Sequence, residues 1–316
     1  MQTENILKEA TITVVSPTES ISAAIKKAKA GSRILIKAGV YQEELIIDKP
    51  LEIISEGKVV VESKNSYCIS MKTDHALVRG LSLHNRAERY FAVDIPQGKL
   101  SLEYCDITSD SLACVGIHGD EAVGILSHCQ IYDSKKGSGV FVCKQGTGQI
   151  ENCDIFGNTE AGIEIREGSN PIVKDCRIYN GKANGIMVWE KGFGQIKDCD
   201  IFGNALSGIN IKTGGNPVVK DCKIHESKQV GVYVYEQGTG QIENCDIFGN
   251  ARAGIAIKTG GNPVIKKCTI KQNGYQAVWV YKGGAGTIQD SDLRNNAKGA
   301  WNIEYGCQVR RCGNKE

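Results

Sequence analysis

The sequence predicts an all-β parallel β-helix, one chain wound into about twelve coils of 23–24 residues behind a short capping helix. Three observations carry this. The string Gly-Gln-Ile-x-x-Cys-Asp-Ile-Phe-Gly-Asn begins at Gly148, Gly194 and Gly240, and Asn-Pro recurs at Asn170, Asn216 and Asn262, so both step by 46 residues. Within each 46, single apolar columns step by 23: Ile150, Val173, Ile196, Val219, Ile242, Ile265, Ile288. Each unit also carries Gly followed by apolar, variable, apolar, as in Gly162-Ile163-Glu164-Ile165, a short strand of period two. Units this short cannot hold two packed helices, and their Ile/Val pairs favour strands.

Residues 1–32 read as an N-terminal cap of one strand and one amphipathic helix. Thr18 or Ser20 caps the helix, which runs through Lys29 with Ile21, Ala24, Ile25 and Ala28 on one face, and Gly31 stops it. Residues 33–316 read as the β-helix. The first apolar strand position runs Leu45, Ile69, Val93, Ile117, Val140, Ile163 and onward to Trp301, with three steps of 24 and then eight of 23. At about 4.8 Å per coil the twelve coils make a rod of about 58 Å. Gly157-Asn158, Gly203-Asn204 and Gly249-Asn250 supply residues that tolerate left-handed backbone. The final coil, Trp301 to Tyr305 with Cys307 to Glu316 behind it, has no cap and is expected to be a self-association surface.

Net charge is +2, from 38 basic and 36 acidic residues, so nucleic acid and acidic membrane surfaces are not expected partners. No apolar run approaches the roughly 18 residues of a membrane span. Met1 to Val15 lacks the basic start and apolar centre of a secretory leader, and the thirteen cysteines are evenly spaced, which together predict a reducing cytoplasmic compartment.

The run Ala23-Ala24-Ile25-x-x-Ala28-x-x-Gly31-x-x-Ile34-x-Ile36-x-x-Gly39-x-Tyr41 resembles the opening coil of pectin-lyase-like right-handed β-helix proteins. The doubled unit, Cys153-Asp154-Ile155-Phe156 and Ala161-Gly162-Ile163-Glu164-Ile165 through Gly168-Ser169-Asn170-Pro171, is similar to carbohydrate-binding-and-sugar-hydrolysis (CASH) repeats of the NosD type. It resembles most the substrate-binding β-helix of F-box proteins carrying such repeats, over roughly Ser138 to Asn296. The resemblance implies a right-handed helix; it does not imply one activity, because the fold hosts lyases, hydrolases, esterases and binders. No F-box segment precedes the helix, so no ubiquitin-ligase role is expected. The column where such repeats stack Asn reads here as Cys.

One outward column alternates cation and ring: Arg166, Trp189, Lys212, Tyr235, Lys258, Tyr281. Two residues earlier its neighbour runs Glu164, Met187, Asn210, Tyr233, Ala256, Trp279. Cation stems lying on ring faces form a structural ladder, and the same strip can stack sugar rings or grip a peptide. The expected binding residues are therefore Arg166, Trp189, Lys212, Tyr233, Tyr235, Lys258, Trp279 and Tyr281, taking a protein segment or an oligosaccharide. Cys105, Cys129, Cys153, Cys176, Cys199, Cys222, Cys245 and Cys268 form a column of buried small hydrophobes, since thiols along a line do not converge as zinc requires. Asp154, Arg177, Asp200, Lys223 and Asp246 alternate as a surface zipper; Asp175, Asp198 and Asp221 stack like charges, offset by neighbouring lysines or by a divalent cation.

Chemistry needs unlike groups meeting at one point, and the coils read as uniform. No metal site, cofactor or catalytic set is expected, and His118-Gly119-Asp120 is the only tight His/Asp grouping. The first expectation is therefore a non-catalytic interaction module. The alternatives are a carbohydrate-active enzyme, lyase or hydrolase-like, using Glu164, Arg166 and Lys212 or the His118/Asp120 coil, and a subunit that assembles end to end.

Overall fold

The computed structural model describes residues 11–316, so most of the leading segment Met1 to Val15 lies outside the described residues. The chain forms a right-handed parallel β-solenoid of about 13 turns with one short helix. Strand β1 (Ile12–Val15) pairs in parallel with β2 (Ser32–Gln42), and helix α1 (Ile21–Lys27) lies between them in sequence. Ser20 is the N-cap, its hydroxyl accepting from the Ala23 N–H at 3.0 Å. The Glu43 carboxylate accepts the N–H groups of Ile21 and Ser22, each at 2.9 Å. Burial would raise the Glu43 carboxyl, but these bonds and the Ser20 hydroxyl outweigh it and hold it below the ordinary carboxylate range. The helix stops at Lys27, short of Lys29, because Ala28 is already extended. Buried Ile21 and Ile25 close the N-terminal end of the tube against β2 and the Leu45–Ile47 strand.

A typical coil has three strands, for example Gln195–Lys197, Asp200–Phe202 and Ile209–Ile211. The first two kinds belong to a continuous 22-stranded sheet and the third to a 12-stranded sheet. Between the first two strands sits a corner whose leading residue is left-handed: Asp175 (φ 51°), Asp198 (52°) and Asp221 (55°). Short polar side chains tolerate that backbone, which accounts for the stacked aspartates without a cation. Gly157, Gly203 and Gly249 are left-handed as expected, but the asparagine after each is not. Those asparagines are a buried ladder of their own. Asn204 accepts the Gly181 N–H at 3.0 Å and donates to the Ile178 carbonyl at 3.1 Å, and Asn158, Asn250, Asn273 and Asn296 repeat the pattern. The chain thus has a cysteine column and an asparagine column, where the sequence reading placed cysteine in place of asparagine.

The 22-stranded sheet shifts register between Lys37 and Gly39 and between Ile54 and Val59. In the 12-stranded sheet the register differs from the constant step at one place. Val93 pairs with Val115, not Ile117, so 22 residues separate these partners, and 25 separate Val115 from its next partner Val140. From Val140 to Trp301 every step is 23. The uniformity inferred from sequence therefore holds for the C-terminal two thirds and fails around residues 85–122. The last coil, with strands Trp301–Ile303 and Gln308–Cys312, pairs on one side only among the described residues.

Replacing Asn204 with Ala strands the Gly181 N–H and the Ile178 carbonyl in the interior; the expected cost is about 2 kcal/mol, read as a lowered urea midpoint with an unchanged far-ultraviolet spectrum.

Candidate functional site

The irregular coil sets a buried carboxylate and an imidazole in adjacent outward columns rather than in one. Asp94 lies in the outward column between Ser70 and Gly116, and its carboxylate is buried, with 5% of the residue exposed. It sits 2.8 Å from His118 Nε2. His118 is two residues beyond Gly116, a diagonal neighbour, and leans across the glycine because no side chain stands in between. Gly116 is required for a second reason: a Cβ there would lie 2.5 Å from the Phe91 ring. The segment from Asn85 to Val93 is two residues longer than the segment from Ser109 to Val115 above it, and the excess carries Phe91 out over the site. Asn85 pins that segment, donating to the Phe91 carbonyl at 2.6 Å and accepting the Ala87 N–H at 2.6 Å.

Phe91 packs 5.9 Å from the His118 ring and 6.1 Å from Phe141. Tyr67 stands edge-on to Tyr90 at 4.9 Å, and burial, then the charge of Asp94, pushes its phenol above the ordinary range. A cleft of about 280 Å³ adjoins Phe91 and Phe141, with Leu112 and Glu164 among its walls. With Nε2–H donating to Asp94, the lone pair of His118 is on Nδ1, the tautomer of a general base. The next residue in the His118 column, Cys143, is no thiolate: burial pushes it up to about 11.

The partner expected for His118 was Asp120, which is exposed in the turn beyond it; the partner is Asp94. The signal that finds it is columnar: Asp94 and His118 are one coil step apart, whereas His118 and Asp120 are merely close in sequence. Glu164 is committed elsewhere. It accepts from Ser138 Oγ at 2.9 Å and from Trp189 Nε1 at 3.0 Å, so it holds a ring in place.

All eight residues singled out in the alternating strip lie along the outer side of the 12-stranded sheet. Arg166 lies between Phe141 and Trp189, 5.0 Å from each ring, and pairs with Glu167 at 3.1 Å. Lys212 covers Trp189 at 4.9 Å, and Lys258 covers Tyr233 and Tyr235 at 5.4 and 5.1 Å. Tyr233 and Tyr281 join hydroxyls at 2.9 Å, and Trp279 stacks on Tyr281 at 4.2 Å. The strip begins at Phe91 and Phe141, beside the dyad, and runs along the same face to Tyr281. Phe91 and Phe141 were missed because neither belongs to the 46-residue motif.

A family described as the right handed beta helix region matches residues 67–205 and 184–314. The chain belongs to that family. Among solved structures, the periplasmic alginate epimerase AlgG is similar at 13% identity over 96% of this chain and 83% of that one, with a TM-score of 0.68. The A-module of the mannuronan C-5 epimerase AlgE6 of Azotobacter vinelandii is similar at 15% identity over 93% of this chain and 92% of that one, TM-score 0.72. The catalytic domain of a GH87 α-1,3-glucanase in complex with tetrasaccharides is similar at 13% identity over 96% of this chain and 69% of that one, TM-score 0.81. At these identities the likeness is one of fold.

Two expectations are corrected. The non-catalytic module was argued from uniform coils, but these right-handed β-helix neighbours are enzymes, and the coils here are not uniform where Asp94 meets His118. The cytoplasmic expectation is overturned by neighbours that include a periplasmic enzyme, and the unpaired thiols that suggested it are a product of column geometry.

Eleven of the thirteen cysteines are buried, Cys307 is partly exposed and Cys312 exposed, while burial pushes Cys68 up to about 12. Ellman's reagent should therefore titrate one thiol quickly and a second more slowly in the native protein, and the remaining eleven only after unfolding.

Proposed function

We propose that the protein is a carbohydrate-active enzyme that moves a proton on an acidic sugar chain. His118 is the base, Asp94 the residue that positions it, and the aromatic and basic strip the track that holds the chain. The observation that carries this reading is the buried Asp94 bonded to His118 at 2.8 Å on the open face of the sheet. A carboxylate fixing the tautomer and direction of an imidazole is the arrangement general-base catalysis needs. The regular stack also pairs His225 Nε2 with Asp200 at 2.9 Å, but there the carboxylate is partly exposed and the imidazole is closed between Phe202 and Phe248. At His118 the carboxylate is buried and the ring packs on Phe91, which lines a cleft.

The track suits a polyuronate. Lys72 and Arg166 stand two coils on either side of His118 in its outward column, and Lys212 and Lys258 lie over rings rather than carboxylates. Sugar units lie along the outer edges of Phe141, Trp189 and Tyr235, whose faces Arg166, Lys212 and Lys258 cover, while these cations take the carboxylates. The name mannuronan C-5 epimerase, carried by one neighbour, describes inversion at a carbon beside a carboxylate, which takes a proton off one face and returns one to the other. In this chain His118 Nδ1 removes that proton and the C–H electron pair moves into the adjacent carboxylate as an enolate. The pair then either takes a proton on the opposite face, inverting the centre, or expels the neighbouring glycosidic oxygen and leaves a double bond. Solvent supplies the returned proton, so the product carries deuterium when the reaction runs in D₂O. The likeness of the doubled unit to CASH repeats, named for carbohydrate binding and sugar hydrolysis, agrees with a sugar substrate.

The test is polymannuronate and polygalacturonate incubated with the protein in D₂O and followed by NMR. Deuterium at the carbon next to the carboxylate, or a new double bond, is the expected result; neither on any uronate polymer overturns it. His118→Asn should lower kcat by about 10²-fold or more. Asp94→Asn should lower kcat with KM unchanged, as expected of a residue that acts through His118.

A further inference from the structure

We propose that a second sugar-binding subsite lies in the aromatic basin around Ala256, several coils along the strip from His118, and that it takes one pyranose ring of the chain between Tyr233 and Trp279. This deepens the reading above and rests on it for the class of ligand.

Tyr233, Ala256 and Trp279 are consecutive in one outward column, so two rings flank a rung with only a methyl group. Coil spacing of about 4.8 Å leaves these rings about 9.6 Å apart along the column. The strip shows what such spacing accepts: Arg166 fills the equivalent layer between Phe141 and Trp189, 5.0 Å from each ring. On the Ala256 rung the middle layer is only partly filled: Lys258 lies 5.4 Å from Tyr233 and 5.1 Å from Tyr235, and Tyr233 reaches Tyr281 at 2.9 Å. A cleft of about 280 Å³ remains beside them, with Tyr235 and Tyr281 on one side and Gln229 and Arg252 on the other.

Two buried polar atoms there lack partners. Asn210 is 7% exposed, lines the cleft and leaves Oδ1 without a donor; Trp279 leaves Nε1 without an acceptor. Trp189 Nε1 donates to Glu164 at 3.0 Å, whereas Trp279 and Trp301 both leave Nε1 unpaired, and of these two only Trp279 lines the cleft. Leaving both unpaired is costly unless a ligand satisfies them. A sugar ring that displaces the side chains covering these two atoms does so with one hydroxyl that donates to Asn210 and one that accepts from Trp279, its apolar face covering a ring. Arg252 at the rim reaches a uronate carboxylate. Tyr233 and Tyr281, locked hydroxyl to hydroxyl at 2.9 Å, present the basin preformed.

From His118 to Tyr235 the column descends five coils, through Cys143, Arg166, Trp189 and Lys212, which is about 24 Å. A chain held at both points spans several sugar units, so the basin makes affinity depend on chain length.

The experiment titrates ¹⁵N-labelled protein with hexamannuronate and follows the three tryptophan indole N–H signals, assigned by single Trp→Phe variants. The Trp279 signal should shift and the Trp301 signal stay. Asn210→Leu should weaken binding about tenfold, and Ala256→Trp, which fills the cleft, should remove the shift at position 279. A hexamer that binds by equilibrium dialysis with the Trp279 signal unmoved, a hexamer that does not bind, or wild-type affinity in both variants overturns the subsite. A Trp279 shift without turnover supports the basin and removes the enzymatic reading; turnover with an unmoved Trp279 signal does the reverse.

Discussion

Outward side chains in the interior coils have a copy of their own position one coil above and one below, about 4.8 Å away. Inside the tube this is favourable, and the Ile, Val and Leu columns are fully buried from Ile34 to Leu293. Outside, each side chain must first be compatible with its own stack. The surface resolves this by pairing unlike or flat groups. Tyr132, Phe156, Tyr179, Phe202, His225 and Phe248 stack with centroids 4.6 to 5.2 Å apart. Arg177 places two nitrogens on Asp154, each at 2.6 Å. Groups so satisfied are turned toward one another rather than toward a ligand. Chemistry therefore has to arise where the stack is interrupted, and the two-residue displacement at Val115 is that interruption.

The same constraint decides what could be read in advance. The coil period, the inward columns and the alternating strip were legible because each is a local pattern repeated many times. The cap was legible because Ser20, Ile21 and Ile25 follow helix rules that need no tertiary information. The dyad was harder. Asp94 and His118 stand 24 residues apart, and nothing near either marks it; a search for compact motifs meets Asp120 first. A constant step would have set Asp94 beside His118 but would also have put Ile117, not Val115, under Val93. The shift depends on Phe91 needing space over Gly116, a contact between coils that no single-coil pattern contains. The Asn210 and Trp279 atoms were hidden for a related reason: their identities were visible in the strip, but whether each finds a partner depends on packing.

The cysteine column shows how a repeated residue can suggest chemistry it does not perform. Each thiol occupies the corner after a left-handed residue and points back to carbonyls, as Cys199 does to Lys197 at 3.2 Å and Val173 at 3.7 Å. In the following coil after Cys268 the position is Ser291, whose hydroxyl makes the same local bond, to Gln289 at 2.9 Å. A position that accepts serine requires a small side chain with a donor, not sulfur. Sulfur chemistry is thus not the reason for the column, and its reduced state carries no information about compartment.

What remains outward is the strip, and its order follows from how its charges are used. Near the dyad, Arg166 is sandwiched by rings and also paired with Glu167, so its rotamer is fixed before any ligand arrives. Farther along, Lys212 and Lys258 rest on rings and leave their charge to solvent or to a ligand. Cation–ring contacts of this kind contribute about 0.5 to 1 kcal/mol each when exposed, too little to shape the fold but enough to hold long side chains in register. A rigid face with rings at coil spacing and cations between them matches a polymer of flat, carboxylate-bearing units better than it matches a peptide, whose side chains vary from one residue to the next. Under the proposed function, the regularity that argued against an enzyme would serve to hold a repeating substrate over the irregular coil of Asp94 and His118.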